Sequence, residues 1–342
     1  MGRGFDLHPH PANFAVTNLE RPLFSPQLKS LAVVLEMPQH LSLQRLDLTV
    51  PTDADVVVDI AYSGISTGTE RLLWSGTMPA FPGMGYPLVP GYESVGIVSV
   101  AGTASGRSVG DHVFVPGANC YGAVRGLFGG AAERVVLPGA RTIEISDTLA
   151  DKGVLLALAA TAHHTVHPVQ STQVHPDLIV GHGVLGRLQA RIALALGAKA
   201  PTVWEINPDR RSGAVGYPVL DAADDNRKDY QCICDCSGDP AILDKLIQRL
   251  APGGEIILSG FYSEPLSFVF PPAFMREARI RVAAQFLPAD LAAVTALIAS
   301  GALSLDGLLT HSARPHDAAA AYATAFTDPS CLKMVLDWRH SS

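Results

Sequence analysis

Charge is scarce in this chain. Only 17% of its 342 residues are Asp, Glu, Lys or Arg, against 48% apolar ones, where an ordinary soluble domain carries roughly 25% charge. So apolar a chain is excluded from the disordered class. It has no block of five or six Lys or Arg, and its formal charge is −7, so phosphate backbones repel it and no nucleic-acid partner is expected. Long hydrophobic runs are missing too. The densest, Val154–Ala162, is closed by His163 and His164, short of the roughly 18 residues of a membrane-spanning helix. Cysteines number five, three of them at Cys232, Cys234 and Cys236, which makes no disulfide framework and points to the cytoplasm. Residues 1–30, with Pro9, Pro11, Pro22 and Pro26 and no apolar core, read as a loosely ordered N-terminal extension, not a secretory signal.

What is present divides in two, as expected for a chain of this length. From Lys29 to about Thr148 the pattern predicts short strands at Ser30–Leu35, Asp55–Tyr62, Ser94–Ala101, His112–Pro116 and Ala132–Leu137, separated by Gly and Pro. The loop holding Pro79, Pro82, Gly83, Gly85, Pro87 and Pro90 is too stiff for a helix. Near Ala150 the character changes. A helix is expected at Asp151–His164, then strands at Asp177–Gly181, Thr202–Ile206, Tyr217–Leu220, Gln231–Cys236, Gly254–Gly260 and Ile280–Gln285, with helices at Gly186–Gly197 and Pro240–Leu250. Strands alternating with helices imply a parallel sheet. Two further helices (Ala289–Ser300, Asp317–Phe326) and a strand (Lys333–Trp338) close the chain.

The strand at Leu178–Val180 runs into Gly181-His182-Gly183-Val184-Leu185-Gly186 and then a helix. This context turns a weak GxGxxG match into a dinucleotide fingerprint. The first glycine permits the tight turn, the second lets backbone approach a pyrophosphate, and the third allows close helix–strand packing, while the helix N-terminus offers unpaired N–H groups to phosphate. Glu205, 19 residues after Gly186, ends the second strand. A carboxylate there accepts ribose hydroxyls and repels a 2′-phosphate, which favours NAD over NADP. Arg210 and Arg211 follow closely enough to soften that preference. The alternating cysteines Cys232, Cys234 and Cys236 lie on one face of one strand, too far apart for a single tetrahedral ion, and are assigned to the core.

Gly64-Ile65-Ser66 with Gly68-Thr69-Glu70, the string Pro90-Gly91-Tyr92-Glu93-Ser94-Val95-Gly96 and the fingerprint together resemble the medium-chain dehydrogenase/reductase superfamily. The resemblance spans about Leu31 to Trp338 and implies an α/β protein: a GroES-like, mostly-β catalytic domain (31–150 and 288–342) and a Rossmann, doubly wound parallel-sheet NAD-binding domain (151–287). Longer strings, Phe81-Pro82-Gly83-Met84-Gly85-Tyr86-Pro87-Leu88-Val89-Pro90-Gly91-Tyr92-Glu93, Gly153–His164 and Phe270–Arg279, resemble one narrower family, the 3-hydroxyethyl bacteriochlorophyllide a dehydrogenases. That resemblance implies oxidation of a ring-A 1-hydroxyethyl group of a chlorophyllide-type tetrapyrrole to acetyl with NAD⁺, and the superfamily's habit implies a homodimer. It also implies a soluble cytoplasmic enzyme that collects an apolar substrate by transient membrane contact. Rival readings are a zinc-free quinone or enoyl reductase and a non-catalytic tetrapyrrole carrier.

Where zinc-dependent members of the superfamily place metal ligands, this sequence has Ser66, Tyr92 and, in a looser alignment, Ala157; the four-cysteine lobe is reduced to Cys120. No metal is therefore expected, and a side chain must hold the substrate oxygen and relay its proton. Tyr92 is the first candidate, as hydrogen-bond donor or relay; a loop tyrosine packed under Pro90 is the alternative. His163 and His164, near Thr161, are candidate bases, though neighbours on a helix point about 100° apart and at most one would face a cleft. Ser66 and Thr69 are candidate hydrogen-bonders or turn formers, and Glu93 orients a base or pairs with a cation. Lys333 matches a basic residue that the superfamily places near the pyrophosphate. Trp74, Phe81, Met84, Tyr86 and Phe128 are the expected walls of a wide substrate cleft, and Arg71 and Arg125 are open candidates for a propionate.

Overall fold

The computed structural model describes residues 28–167, 174–283 and 285–340. The first stretch holds β1 (Lys29–Met37), β2 (His40–Asp47), β3 (Asp55–Ile65), α1 (Thr69–Ser75), β4 (Leu88–Val89), β5 (Ser94–Ala101), β6 (His112–Val115), β7 (Arg125–Gly126), β8 (Arg134–Pro138) and β9 (Ile143–Glu144). There follow α2 (Leu156–Val166), β10 (Leu178–Val180), α3 (Val184–Ala195), β11 (Thr202–Trp204), β12 (Val219–Leu220), β13 (Tyr230–Asp235), α4 (Leu243–Arg249), β14 (Leu250–Leu258), α5 (Phe270–Met275) and β15 (Arg279–Val282). The chain closes with α6 (Pro288–Ala299), β16 (His311–Ala313), α7 (Ala318–Thr327) and β17 (Met334–Asp337).

Two sheets build the first lobe, one in the order β2-β1-β4-β7 and one in the order β16-β17-β3-β5-β6-β9, with β8 also pairing β3. The C-terminal strand β17 lies antiparallel on β3, with Met334 opposite Ile65 and Leu336 opposite Ser63, so the chain's end completes the sheet its beginning started. Val56, Val57, Val58 and Ile60 on β3 pack with Val98, Val113 and Leu336 in this lobe's core, so β3 is buried on both faces over Val56–Val58.

The second lobe is a parallel sheet in the order β12-β11-β10-β13-β14-β15. Numbered within the lobe this is 3-2-1-4-5-6, the doubly wound dinucleotide-binding order, with its switch point between β10 and β13. A shared apolar seam joins the lobes: Val95, Phe114 and Val335 of the first pack with Leu156 and Ala160 of α2, Val184 and Leu188 of α3, and Leu291 and Val294 of α6. Helix α6, placed by sequence with the first lobe, thus packs on the helices of the second.

The structure departs from the predicted elements where local signals were weak. Strand β2 went unpredicted because its hairpin turns at Gln39, a non-glycine residue at φ 63°, with no Asn-Gly or Gly-Gly marker. Helices α1 and α5 and strand β16 are short pieces with little periodicity. The helix expected at Asp151–His164 is instead a 3₁₀ run over Asp147–Leu155, kinked at Ala150 (φ 46°), leading into α2. The N-terminal extension lies outside the described residues up to Gln27; β1 begins at Lys29.

Candidate active site

Strand β3 ends at Ile65 and delivers Ser66 to the seam; the loop after β4 delivers Tyr92. The two hydroxyls meet, Ser66 Oγ to Tyr92 OH at 2.7 Å, with Thr69 Oγ1 3.5 Å from the same phenol. Phe128 stands edge-on to the Tyr92 ring, centroids 5.4 Å apart. Burial, followed by the Glu93 carboxylate, pushes the Tyr92 phenol well above its usual range, against the lowering effect of the Ser66 bond. Tyr92 therefore stays protonated at neutral pH.

Lys333, expected at the pyrophosphate, is 1% exposed, its Nζ donating to Glu93 Oε2 at 2.5 Å and to Ile65 O at 3.2 Å. A sealed ammonium neutralised by a carboxylate does not reach a phosphate, which corrects the expectation. Gly64 permits this packing: a Cβ there would sit 2.6 Å from Glu93 Oε2.

Glu70 is the residue that sequence reasoning quoted but gave no role. It is 1% exposed, accepts the Ser66 N–H at 3.1 Å through Oε1, and accepts the Tyr322 hydroxyl of α7 at 2.7 Å through Oε2. Burial first, then the nearby Glu93 charge, raises its carboxyl to about 7. It ties the Ser66 backbone to the C-terminal helix. Glu70 stands in the first turn of α1, whose N-cap is Gly68 with no side-chain hydrogen bond, so no capping pattern marked it.

At the fingerprint, Gly181 has φ 100°, and a Cβ on Gly186 would lie 1.9 Å from Gly181 O; both must be glycine. A Cβ on Gly183 would meet nothing within 4 Å. Gly183 also caps α3 without any side-chain hydrogen bond, so an open, positively polarised helix start faces that space. Val184 and Leu185 begin the helix and pack, like Tyr92, against the seam. Glu205, 8% exposed, accepts the backbone N–H groups of His182 at 3.0 Å and Asn207 at 2.8 Å, which fixes its carboxylate beside the turn. An open cradle and a positioned acid fit a nicotinamide dinucleotide. His182 is fully buried, donating from Nδ1 to Arg210 O and accepting at Nε2 from Tyr217 OH, and burial lowers it to about 4. Arg210 donates to Pro329 O, and Arg211 to Glu205 O and Asp221; neither guanidinium stands free beside the acid.

His163 and His164 converge on one carboxylate despite their divergent positions on α2. Their Nδ1 atoms lie 2.8 and 2.9 Å from the two oxygens of Asp290 on α6. His163 also stacks on His167. Thr161 Oγ1 donates to Ala157 O within α2. Among the described residues no hydrogen bond links these three side chains to the Ser66–Tyr92 pair. It does gather all five expected wall residues: Trp74, Phe81, Met84, Tyr86 and Phe128 are half-buried around Leu35, Leu73, Met78, Leu88 and Leu127. Cys232, Cys234 and Cys236 pack with Ile179, Ala190 and Val203.

At the superfamily's zinc positions stand two mutually bonded hydroxyls and the methyl of Ala157, buried at 3% exposure. This donor set holds no thiolate, imidazole or carboxylate and does not fit zinc.

A GroES-like lobe completed by the chain's own end, a doubly wound parallel sheet and a glycine-rich turn at its switch point define a medium-chain, dinucleotide-dependent dehydrogenase fold. Residues 52–147 match the alcohol dehydrogenase GroES-like domain, and an alcohol dehydrogenase from Escherichia coli CFT073 solved with NADH superposes at TM-score 0.76, 22% identical, covering 90% of this chain and 99% of that one. Two 2-desacetyl-2-hydroxyethyl bacteriochlorophyllide A dehydrogenases are far more similar. That of Rhodobacter capsulatus is 57% identical over 313 residues and that of Cereibacter sphaeroides 55% over 317, each match covering 91% of this chain and 99% of the relative. The chain belongs to the bacteriochlorophyllide a dehydrogenase family.

Proposed function

We propose that the protein oxidises the ring-A 3-(1-hydroxyethyl) group of a bacteriochlorophyllide a to 3-acetyl, with NAD⁺ as acceptor and no metal ion. The observation that carries the chemistry is the 2.7 Å Ser66–Tyr92 hydroxyl pair at the seam shared with the start of α3; the substrate is supported by the 57% identity to the R. capsulatus dehydrogenase. The carbinol loses its C–H as hydride and its O–H as a proton, and a C=O forms. A dinucleotide bound at the glycine turn supplies the hydride acceptor.

The chain's residues do the rest. Tyr92, kept neutral by burial, takes the carbinol proton only as it hands its own to Ser66 Oγ, whose proton passes in turn to water, so that neither hydroxyl is left charged. Phe128, Tyr86 and Met84 present an apolar wall to the flat macrocycle. Glu205 holds the adenosine ribose and repels a 2′-phosphate. With Arg210 and Arg211 engaged elsewhere, NAD⁺ should outperform NADP⁺ by about a hundredfold in kcat/KM, equivalent to about 3 kcal/mol.

The chemistry is tested with chelator-treated protein, NAD⁺ and the hydroxyethyl pigment: acetyl product and NADH should form together. Activity abolished by chelator and restored by Zn²⁺ would refute the metal-free reading, and stoichiometric pigment binding without NADH would favour a carrier.

No helix among the described residues is long and apolar enough to cross a membrane, in accord with a cytoplasmic enzyme that meets the membrane only for substrate. Phe268, Phe270, Phe274 and Met275 are 42–74% exposed and line a groove of about 580 Å³ beside the unpaired edge of β15. An apolar face of this kind supports a contact between two copies. Light scattering should report a dimer that Phe274→Glu dissociates.

A further inference from the structure

We propose that Arg125 is the subsite that binds the substrate's carboxylate, an inference that rests on the chlorophyllide reading, since a chlorophyllide is a free acid. Strands β4 and β7 form a short parallel ribbon, with Leu88 opposite Arg125 and Val89 opposite Gly126. Followed forward, one strand leads to Tyr92 and the other to Phe128, whose rings meet at 5.4 Å. Followed back, the ribbon begins at Arg125. Arg125 opens β7 three positions before Phe128, with a cis Leu127–Phe128 peptide between them. One ribbon thus carries the hydroxyl-binding group at one end and a cation at the other, with half-buried Met84 and Tyr86 lining the way.

The guanidinium itself is held but not neutralised. Its Nη1 reaches Tyr86 O at 3.4 Å, and it lies against Gly85, where a Cβ would stand 3.2 Å from its central carbon. No acidic side chain pairs with it among the described residues, whereas Arg134, Arg211, Arg227 and Arg339 each bond a carboxylate. A guanidinium is weakly hydrated and forks onto a carboxylate through two parallel bonds. A rigid macrocycle bearing a secondary alcohol and a carboxylate on separate rings can engage Tyr92 and Arg125 together, so that the acid anchors the pigment while its hydroxyethyl group reaches Tyr92. Arg71, exposed on α1 two residues after Thr69, is the rival cation, and it stands outside the β4–β7 ribbon.

The test compares the free acid of the hydroxyethyl pigment with its propionate methyl ester in wild type, Arg125→Gln, Arg125→Lys and Arg71→Gln. Wild type should favour the acid by about fivefold in KM, the upper end for one exposed charge pair. Arg125→Gln should erase that preference by raising the acid KM, leaving the ester KM and both kcat values within about twofold. Arg125→Lys should retain part of it, and Arg71→Gln all of it. An acid-to-ester ratio unchanged in Arg125→Gln overturns this assignment alone, as does a ratio lost only in Arg71→Gln. Failure of wild type to oxidise either pigment overturns the functional reading and this inference with it.

Discussion

Replacing Lys333 with methionine removes one partner of a buried ion pair and leaves the other in place. The Lys333 and Glu93 side chains are 1% and 0% exposed and meet at 2.5 Å. A carboxylate stripped of its cation in such a site costs about 3–5 kcal/mol, and loss of the Nζ bond to Ile65 O falls within that figure. Glu93 has no fallback, because among the described residues its Oε1 already lacks a hydrogen-bond partner. Glu93→Gln should cost a similar amount by leaving the ammonium unpaired. In the double variant no charge is buried, so it should be more stable than either single one, lying about 1–2 kcal/mol below wild type. The coupling energy of the cycle is then about 3 kcal/mol or more. Urea unfolding followed by tryptophan fluorescence reads all four proteins; Trp338, whose indole N–H donates to Ser63 Oγ at 2.8 Å, reports from the β17–β3 pairing that holds Lys333. Additive single effects, within about 0.5 kcal/mol, would refute the claim that the two charges answer each other.

Three other outcomes are expected. Gly183→Ala should leave thermal stability nearly unchanged, because its Cβ meets nothing, yet weaken NAD⁺ binding by filling the cradle; Gly186→Ala should destabilise the fold, because its Cβ meets Gly181 O at 1.9 Å. Equal melting temperatures, set beside the NAD⁺ KM of each variant, would contradict that contrast. Glu70, raised from 4.5 to about 7, binds its proton more tightly folded than unfolded. Its contribution of about 3 kcal/mol is therefore complete below pH 4.5 and fades as pH rises through 7. Glu70→Gln should flatten the stability profile in that window, and an unaltered slope in urea titrations across it would count against the shift. Tyr92→Phe should lower kcat by about 10²–10³-fold with a well-folded protein, and near-normal turnover would take the phenol out of the proton path.

Much of the architecture was legible in residue order alone. The strand–GxGxxG–helix sequence announces its own turn because φ 100° at Gly181 and the tight approach at Gly186 admit only glycine. The alternation of apolar runs marked the parallel sheet, whose strands are buried on both faces. Boundaries failed where the chain used unmarked devices, as at the Gln39 turn and the Ala150 kink. At the site, Tyr92 and Ser66 were legible as residues standing where metal ligands are expected, and the wall as large apolar residues at Trp74, Phe81, Met84, Tyr86 and Phe128. The partners of Glu70, Glu93 and the two histidines were not.

The sequence by itself determined the two kinds of lobe and the dinucleotide turn, because each depends on residue types within a few positions of one another. Only the tertiary structure decided that Lys333 serves Glu93 and not a phosphate, that Tyr322 holds Glu70 from 252 residues away, and that His163 and His164 share Asp290. These pairings arise where β17, α6 and α7 return to the beginning of the fold. Which charge answers which is set by burial, and burial exists only once the two ends of the chain have met.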